Sequence, residues 1–483
     1  MPTSDVETVL IKGSLSEIGR AIRARHFTIP EMIGWHLSRI EALNSNGPGL
    51  NALRLVSTTA LDEARAADDA LAAGQDRGPL HGIAVAIKDN IMMADGYTMA
   101  AGVSALEQFR PRSTATIVKL LRAAGAIVIG KSNLTEFADY VSEVMPAEFS
   151  GAGGVVRNPH GIRYGRGQGS SVGSAACVSA SFAPIAIGGE TQNSIQTPAN
   201  YSSVVGYKPS IGLISRTGIM PLVPSQDAPG TLTRSIEDAQ IVMRAIGLAD
   251  AGDAMTLVAA RSVRSAPLFE RLAQIRIGVP RRAMSERAEF EPVRPLFESV
   301  LSRLRSAGAT VVDPCDLPGA EQLQEVRSCV FRTEFKASLN GFLADQGSPC
   351  GIDSLATLIA WNERHPEKIP YGQSLLLAAE NTHGVNDPVY RADRARDLAL
   401  SLTGGIQAAL AAGDVDVLIA PMGAAAKCTG KAGAPTLAIP AGMSADGTPF
   451  GVTLYSAPYR DATLLEIGRL VEREIGDRRY PVL

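Results

Sequence analysis

The stretch YGRGQGSSVGSAACVSA, residues 164–180, gathers glycines and serines and then turns apolar and alanine-rich. Hydroxyls on so pliable a backbone suit three roles: a cradle for phosphate, the strained turn of a serine hydrolase, or a loop before a helix. GAIVIGKS, Gly125 to Ser132, satisfies the phosphate-loop pattern GxxxxGK[ST]. In a phosphate loop the variable residues form a turn after the strand and free their N–H groups for the ligand. Here Ala126 to Ile129 read as the strand itself, so the mechanism is missing. GSSVG, Gly169 to Gly173, satisfies GxSxG and would make Ser171 a nucleophile on a strand-to-helix elbow. That elbow needs a strand directly before it, and GIRYGRGQ is too glycine-rich and polar to be one. The hydrolase order also needs a late histidine, and none of the six in this chain follows His383.

The elements around these stretches alternate. LSEIGRAIRARHFTIPEMIGWHLSRIEAL, residues 15–43, predicts two helices divided at Pro30, with Thr28 capping the second. A third helix is expected over 58–74. IAVAI at 83–87 is short, β-rich and bounded by Gly82 and KDN, and reads as a buried strand ending at Lys88. A helix closed by Gly125, the strand AIVI, a helix over 175–183 and the strand PIAIGG follow. The alternation returns at IRIGV (275–279), the helix through Val293 to Leu304, and ATVVD. This pattern predicts an α/β fold with a mixed, mainly parallel central sheet covered by helices on both faces.

One large domain is expected. It comprises an N-terminal helical region (1–75) packed on the core, the core (76–315), a mainly helical insert or cap (316–412), and closing strands and helix (413–483).

Composition narrows the function classes. The 483 residues are 45% apolar and 20% charged, with a net charge of −3, so nothing draws the chain toward nucleic acid or an anionic membrane. The five cysteines are widely spaced, without CxxC or zinc-ligand spacing. A reduced, cytoplasmic setting and no metal are expected. The N-terminus lacks an apolar signal region, and no apolar run is long enough to span a membrane.

GPLHGIAVAIKDN (78–90), GSSVGSAA (169–176) and IGGETQNSIQTPA (187–199) resemble, in order, the three catalytic segments of the amidase signature family. In that family they run GxPxxxKD, GGSSGGSAA and G(T/S)DTGGSIRxPA. Flanking segments agree, and the resemblance covers roughly residues 15 to 475. It implies the amidase signature fold and hydrolysis of linear amides through a covalent acyl-enzyme, without metal or cofactor. By the same resemblance Ser194 is the nucleophile, Ser170 the bridging serine and Lys88 the base. The family's two serines lie 24 residues apart, the separation of Ser194 from Ser170 rather than from Ser171. The chemistry is coherent: serine is a weak nucleophile until a base takes its proton, and burial leaves a lysine amine neutral enough to do so. The backbone N–H groups of Thr191, Gln192, Asn193 and Ser194 would form the oxyanion hole. A cis peptide is implied at Gly169–Ser170.

This chain departs from the family in three places. Gln192-Asn193 stands where the family has Gly-Gly, a turn that asparagine can support because it tolerates left-handed backbone angles; both side chains would crowd or hydrogen-bond the acyl pocket. Gln196 replaces the usual arginine, and Ala84 replaces a proline. SQDAPG, the segment from Ile359 to Arg396 and the missing arginine are more similar to the peptide-amidase-like branch than to the A-type component of the tRNA amidotransferases. Tyr140, Ser142, Met145, Gln192, Asn193, Gln226 and Asp227 are the candidate substrate contacts. The expected partner is a small-molecule or peptide amide, bound by a monomer or homodimer. The alternatives are an A-type subunit of a glutamyl-tRNA amidotransferase complex and a catalytically impaired amide-binding homologue.

Overall fold

Thr28 accepts from the Glu31 N–H while the Glu31 carboxylate accepts from the Thr28 N–H, and this reciprocal cap starts the helix Ile29–Ile40 with Pro30 in its first turn. The computed structural model describes residues 4–263 and 268–483. The first three predicted helices are present, the third as Ala60–Ala72. They pack against a large apolar cluster that includes Ile29, Ile33, Ile87 and Ile187.

Eleven strands form one sheet: β1 (Leu53–Val56), β2 (Ala84–Lys88), β3 (Ile127–Ser132), β4 (Ile185–Glu190), β5 (Val205–Lys208), β6 (Ala228–Thr233), β7 (Arg276–Gly278), β8 (Thr310–Val312), β9 (Val417–Pro421), β10 (Thr436–Met443) and β11 (Pro449–Tyr455). Their order is β1-β3-β2-β4-β6-β5-β10-β11-β9-β7-β8. The sheet is mixed, with helices on both faces as the alternation predicted. Parallel pairing is concentrated in two blocks, β3-β2-β4 and β9-β7-β8, where helical crossovers join the strands. The strands between the blocks pair antiparallel. Here the connections are hairpins or long loops rather than single crossover helices, so the direction reverses.

The parallel block positions the site. In parallel strands the C-terminal ends share one edge, and β2 and β4 therefore bring Lys88 beside Gly189 and Glu190. The helix Val172–Ser179 starts directly after the serine pair and leads into β4, whose far end opens into the loop 191–195. Gly173 permits this crossing, because a Cβ there would lie 2.3 Å from the Asn133 carbonyl oxygen and 2.5 Å from that of Ala52.

Residues 316–412, expected to be a mainly helical insert or cap, hold helices from Ala320–Glu325 to Gln407–Gly413. The helix Val330–Asp345 lays Phe335, Leu339 and Leu343 into an apolar cluster with Phe137, Tyr140 and Met145. Among the described residues, no helix is long and apolar enough to cross a membrane, and no group of three or more His, Cys, Asp or Glu could hold a metal ion.

Candidate active site

Lys88 ends an entirely buried strand and is itself shut off from solvent. Its Nζ lies 2.7 Å from Ser170 Oγ, a contact that a neutral amine makes by accepting the hydroxyl proton, and it donates to Ser171 Oγ at 2.9 Å and to the Gly189 carbonyl at 3.1 Å. Burial lowers its pKa to about 7, against the opposing pull of Asp227, Glu190 and Asp139. The next residue anchors the strand end: the buried Asp89 carboxylate accepts from Arg54 Nε at 2.6 Å and from the Ala100 N–H at 3.1 Å, and Lys131 Nζ lies 3.5 Å away. Lys131, the lysine of the phosphate-loop pattern, donates to the Ile91 carbonyl deep in the core. It faces no open ligand cradle. Ser171 has no strand before it; it is the residue preceding a helix.

The Gly169–Ser170 peptide is cis, as the resemblance implied. Lys88 reaches both serines of the pair, so the distinction drawn from spacing is finer than the geometry at Nζ. Ser171 is also held by strand β4, donating to the Gly189 carbonyl at 3.1 Å and accepting from the Gly189 N–H at 3.3 Å. The link onward to Ser194 runs through the backbone: the Ser171 N–H donates to the Ser194 carbonyl at 3.1 Å. Ser194 is buried, and no side-chain hydrogen bond joins its hydroxyl to Ser170 among the described residues.

The loop carrying Ser194 is drawn around a carboxylate. Glu190, fully buried, accepts from the Ile195 N–H at 2.7 Å, the Gln196 N–H at 2.9 Å and Gln196 Nε2 at 2.8 Å. Gln196 Nε2 also donates to the Gln192 carbonyl at 2.9 Å, so the residue that replaces the family arginine still ties the loop. None of the N–H groups of Thr191, Gln192, Asn193 and Ser194 donates to a described protein acceptor. They are free to receive an anionic oxygen, which suits the expected oxyanion role.

Gln192 and Asn193 behave differently from the expectation. Neither has a positive φ. The turn therefore makes no use of left-handed backbone, and glycine is not required by conformation. Their side chains are occupied: Gln192 Nε2 donates to Gln226 Oε1 at 3.2 Å, and Asn193 Nδ2 donates to the Gly167 carbonyl.

The other candidate contacts fall into two groups. Tyr140 stacks on Phe331 at 4.6 Å between ring centroids, Met145 lies in the same apolar cluster, and Ser142 Oγ donates to the Tyr371 carbonyl at 2.6 Å. Asp227 accepts from Thr191 Oγ1 at 2.6 Å and from the Leu222 and Val223 N–H groups at 2.8 Å, tying the Ser194 loop to residues 221–227. A cavity of about 230 Å³ opens between these segments, walled by Lys88, Asn90, Thr191, Met220, Leu222 and Asp227 among others. Of the candidate substrate contacts, only Asp227 lines it. Ser170 and Ser194 do not.

The family model for amidases matches residues 31–432. The chain belongs to the amidase family. It is an amide hydrolase with the amidase signature fold. It is similar to a probable amidase of Arabidopsis thaliana, 29% identical over 97% of this chain and 91% of that protein. Among solved structures it is similar to the native peptide amidase of Stenotrophomonas maltophilia, 34% identical, with a TM-score of 0.87 over 97% of this chain and 98% of that one. It is also similar to the A-type component of the glutamyl-tRNA(Gln) amidotransferase of Thermotoga maritima, 25% identical, with a TM-score of 0.67 over 92% of this chain and 94% of that one.

Three acidic residues around these segments carry contacts or perturbed titration that their sequence positions did not signal as functional. Glu190 stood inside the quoted GGETQNS without an assigned role. Glu334, from the helix Val330–Asp345, accepts from the Ser225 N–H at 2.8 Å and from Tyr390 OH at 2.9 Å. Asp139 has a left-handed backbone (φ 76°), and burial raises its pKa to about 7, opposed by Arg166 and Lys88. Only the acidic character of Glu190 within an apolar strand end offered a signal.

Proposed function

We propose that this amidase hydrolyses linear carboxylic amides, including C-terminal peptide amides, through Lys88, Ser170 and Ser194. The observation that carries this reading is the solvent-excluded contact of 2.7 Å between the Lys88 nitrogen and the Ser170 hydroxyl. Burial supplies a neutral amine near neutral pH, so Lys88 can take the Ser170 proton while Ser170 takes that of Ser194. This transfer requires the Ser194 hydroxyl to turn to Ser170 when substrate fills the site, and as its proton leaves, Ser194 attacks the amide carbon. The C–O bond forms, the carbonyl oxygen gains the negative charge, and the free N–H groups of residues 191–194 stabilise it. Return of the proton through Ser170 to the nitrogen breaks the C–N bond and releases the amine. Water, activated by the same relay, hydrolyses the acyl-enzyme.

The greater likeness to a peptide amidase than to an amidotransferase component favours a stand-alone hydrolase. Small-molecule or peptide amides are the substrates of this reading.

Two experiments test it. Purified protein, without ATP or a partner, is expected to release ammonia or amine from a panel of aliphatic, aryl and peptide amides, and Ser194→Ala to abolish this. Turnover that appears only with a tRNA-charging partner would transfer the protein to the amidotransferase reading. A fluorophosphonate is expected to label Ser194 and to fail with Ser194→Ala or Lys88→Ala. Absence of labelling in the folded wild type would leave an amide-binding homologue.

A further inference from the structure

Three lysines are fully shut off from solvent: Lys88, Lys131 and Lys208. The first two have partners, whereas Lys208 Nζ has no hydrogen bond among the described residues. Lys208 is the last residue of β5, and Gly206 and Tyr207 before it pair with Leu232 and Thr231 of β6. The next step of that register is Gly230, where a Cβ would sit 3.2 Å from the Lys208 Cα. Gly230 in turn pairs with Gly188 of β4, and Glu190 follows Gly188 by two residues, hence on the same face. Lys208 and Glu190 therefore face one side of the sheet, two strand spacings apart and offset by two residues along the strand, roughly 12 Å between Cα atoms. Gly188 and Gly230 stand on this lane of the face, flanked by Leu232 and by Ala228, the β6 partner of Glu190. Over this lane the Ser194 loop lies flat: Ile195 Cδ1 is 2.8 Å from where a Gly230 Cβ would be.

We infer that Lys208 is a positioning residue, whose ammonium balances the Glu190 carboxylate and so preserves the clamp on the Ile195 and Gln196 N–H groups that places Ser194. The inference rests on Ser194 being the nucleophile. An ionised carboxylate makes stronger bonds to N–H groups than a neutral acid, whose proton removes an acceptor site. A buried carboxylate stays ionised only with compensation, and Glu190 has no direct ion pair among the described residues. Burial pushes the Glu190 pKa up, with Lys208 the first opposing influence; burial pushes Lys208 down, with Glu190 and then Asp461 opposing. Asp461 is itself engaged by Tyr207 OH at 2.6 Å and Ser210 Oγ at 2.5 Å. With glutamine at 196, the charge that the family's arginine would bring to Glu190 comes from β5 instead.

A double-mutant cycle tests this, reading the rate constant of Ser194 labelling by a fluorophosphonate together with the melting temperature. Lys208→Met and Glu190→Gln should each label about tenfold or more slowly, and the double variant no more slowly than the slower single variant. Gln196→Arg in the Lys208→Met background should recover labelling, which a loss of packing alone would not allow. Lys208→Gln gives the same reading if Lys208→Met does not fold. Labelling within about twofold of wild type for the Lys208 variants, multiplicative losses in the double variant, or no recovery with Gln196→Arg would overturn the inference while leaving Ser194 labelled in the wild type. An unlabelled wild type would instead overturn the nucleophile reading, and this inference with it.

Discussion

The Lys88 nitrogen lies 2.7 Å from the Ser170 hydroxyl, and neither side chain has any contact with solvent. Among the described residues Lys88 forms no ion pair that would offset the cost of burying its charge, and burial is the main influence lowering its pKa. Desolvation therefore favours the neutral amine, the form able to accept a proton.

The pH profile should follow. Below a pH of about 7 Lys88 becomes an ammonium and cannot accept a proton, so kcat/KM should fall by about tenfold per pH unit on the acid side. Above it the profile should level. A flat rate from pH 5 to 8 with an amide substrate would remove Lys88 as the base. Lys88→Ala should lower kcat by about 10²–10⁴.

Ser170 and Ser171 should separate by function although both touch Lys88. Ser170→Ala should lower the labelling rate of Ser194 by at least about 10²-fold, because it interrupts the relay. Ser171→Ala removes the bonds to Gly189 and should cost about 1 kcal/mol of stability with a smaller loss of rate. Measuring both rate and melting temperature for the pair distinguishes them; reversed effects would make Ser171 the bridge.

Gln192→Gly with Asn193→Gly should widen acyl selectivity. The substitutions delete the bonds to Gln226 and to the Gly167 carbonyl. Without a positive φ at either position the original residues are not strained, and each glycine adds backbone entropy to the unfolded chain, about 0.4–1 kcal/mol against folding. KM for bulky acyl amides is expected to fall relative to that for small ones, with a modest drop in melting temperature. Equal KM changes across a size series would place the acyl group elsewhere.

Glu334→Ala should act on binding. Its carboxylate secures the Ser225 N–H beside Gln226, which supports Gln192. Loss of a charge-assisted bond of about 1.5–3 kcal/mol should loosen this wall, raise KM and leave kcat within a few-fold. A kcat loss with unchanged KM would contradict that role.

Much of the framework was legible because it depends on local pattern. Thr28 and Glu31 announce a helix start three residues apart, and the apolar run before Lys88 announces a buried strand. The spacing of Lys88, the serine pair and Ser194 carried the family and the chemistry. Less was legible where partners are distant in sequence. Gln192 and Asn193 invited a left-handed turn, yet Glu190 shapes that loop by accepting two of its N–H groups, and no special backbone angle is needed. The antiparallel middle of the sheet likewise depends on which strands of the two halves meet, as when β5 joins β10.

By itself, then, the order of residues determined which groups are available: an amine at the end of an apolar strand, hydroxyls in a glycine-rich loop, and a carboxylate ahead of the Ser194 loop. Tertiary structure alone decided their surroundings. Only the folded structure excludes water from Lys88, sets Lys208 and Glu190 on one face of the sheet, and brings Glu334 to Ser225. The physical reason is that burial and electrostatic pairing depend on distances through space, which chain separation does not encode.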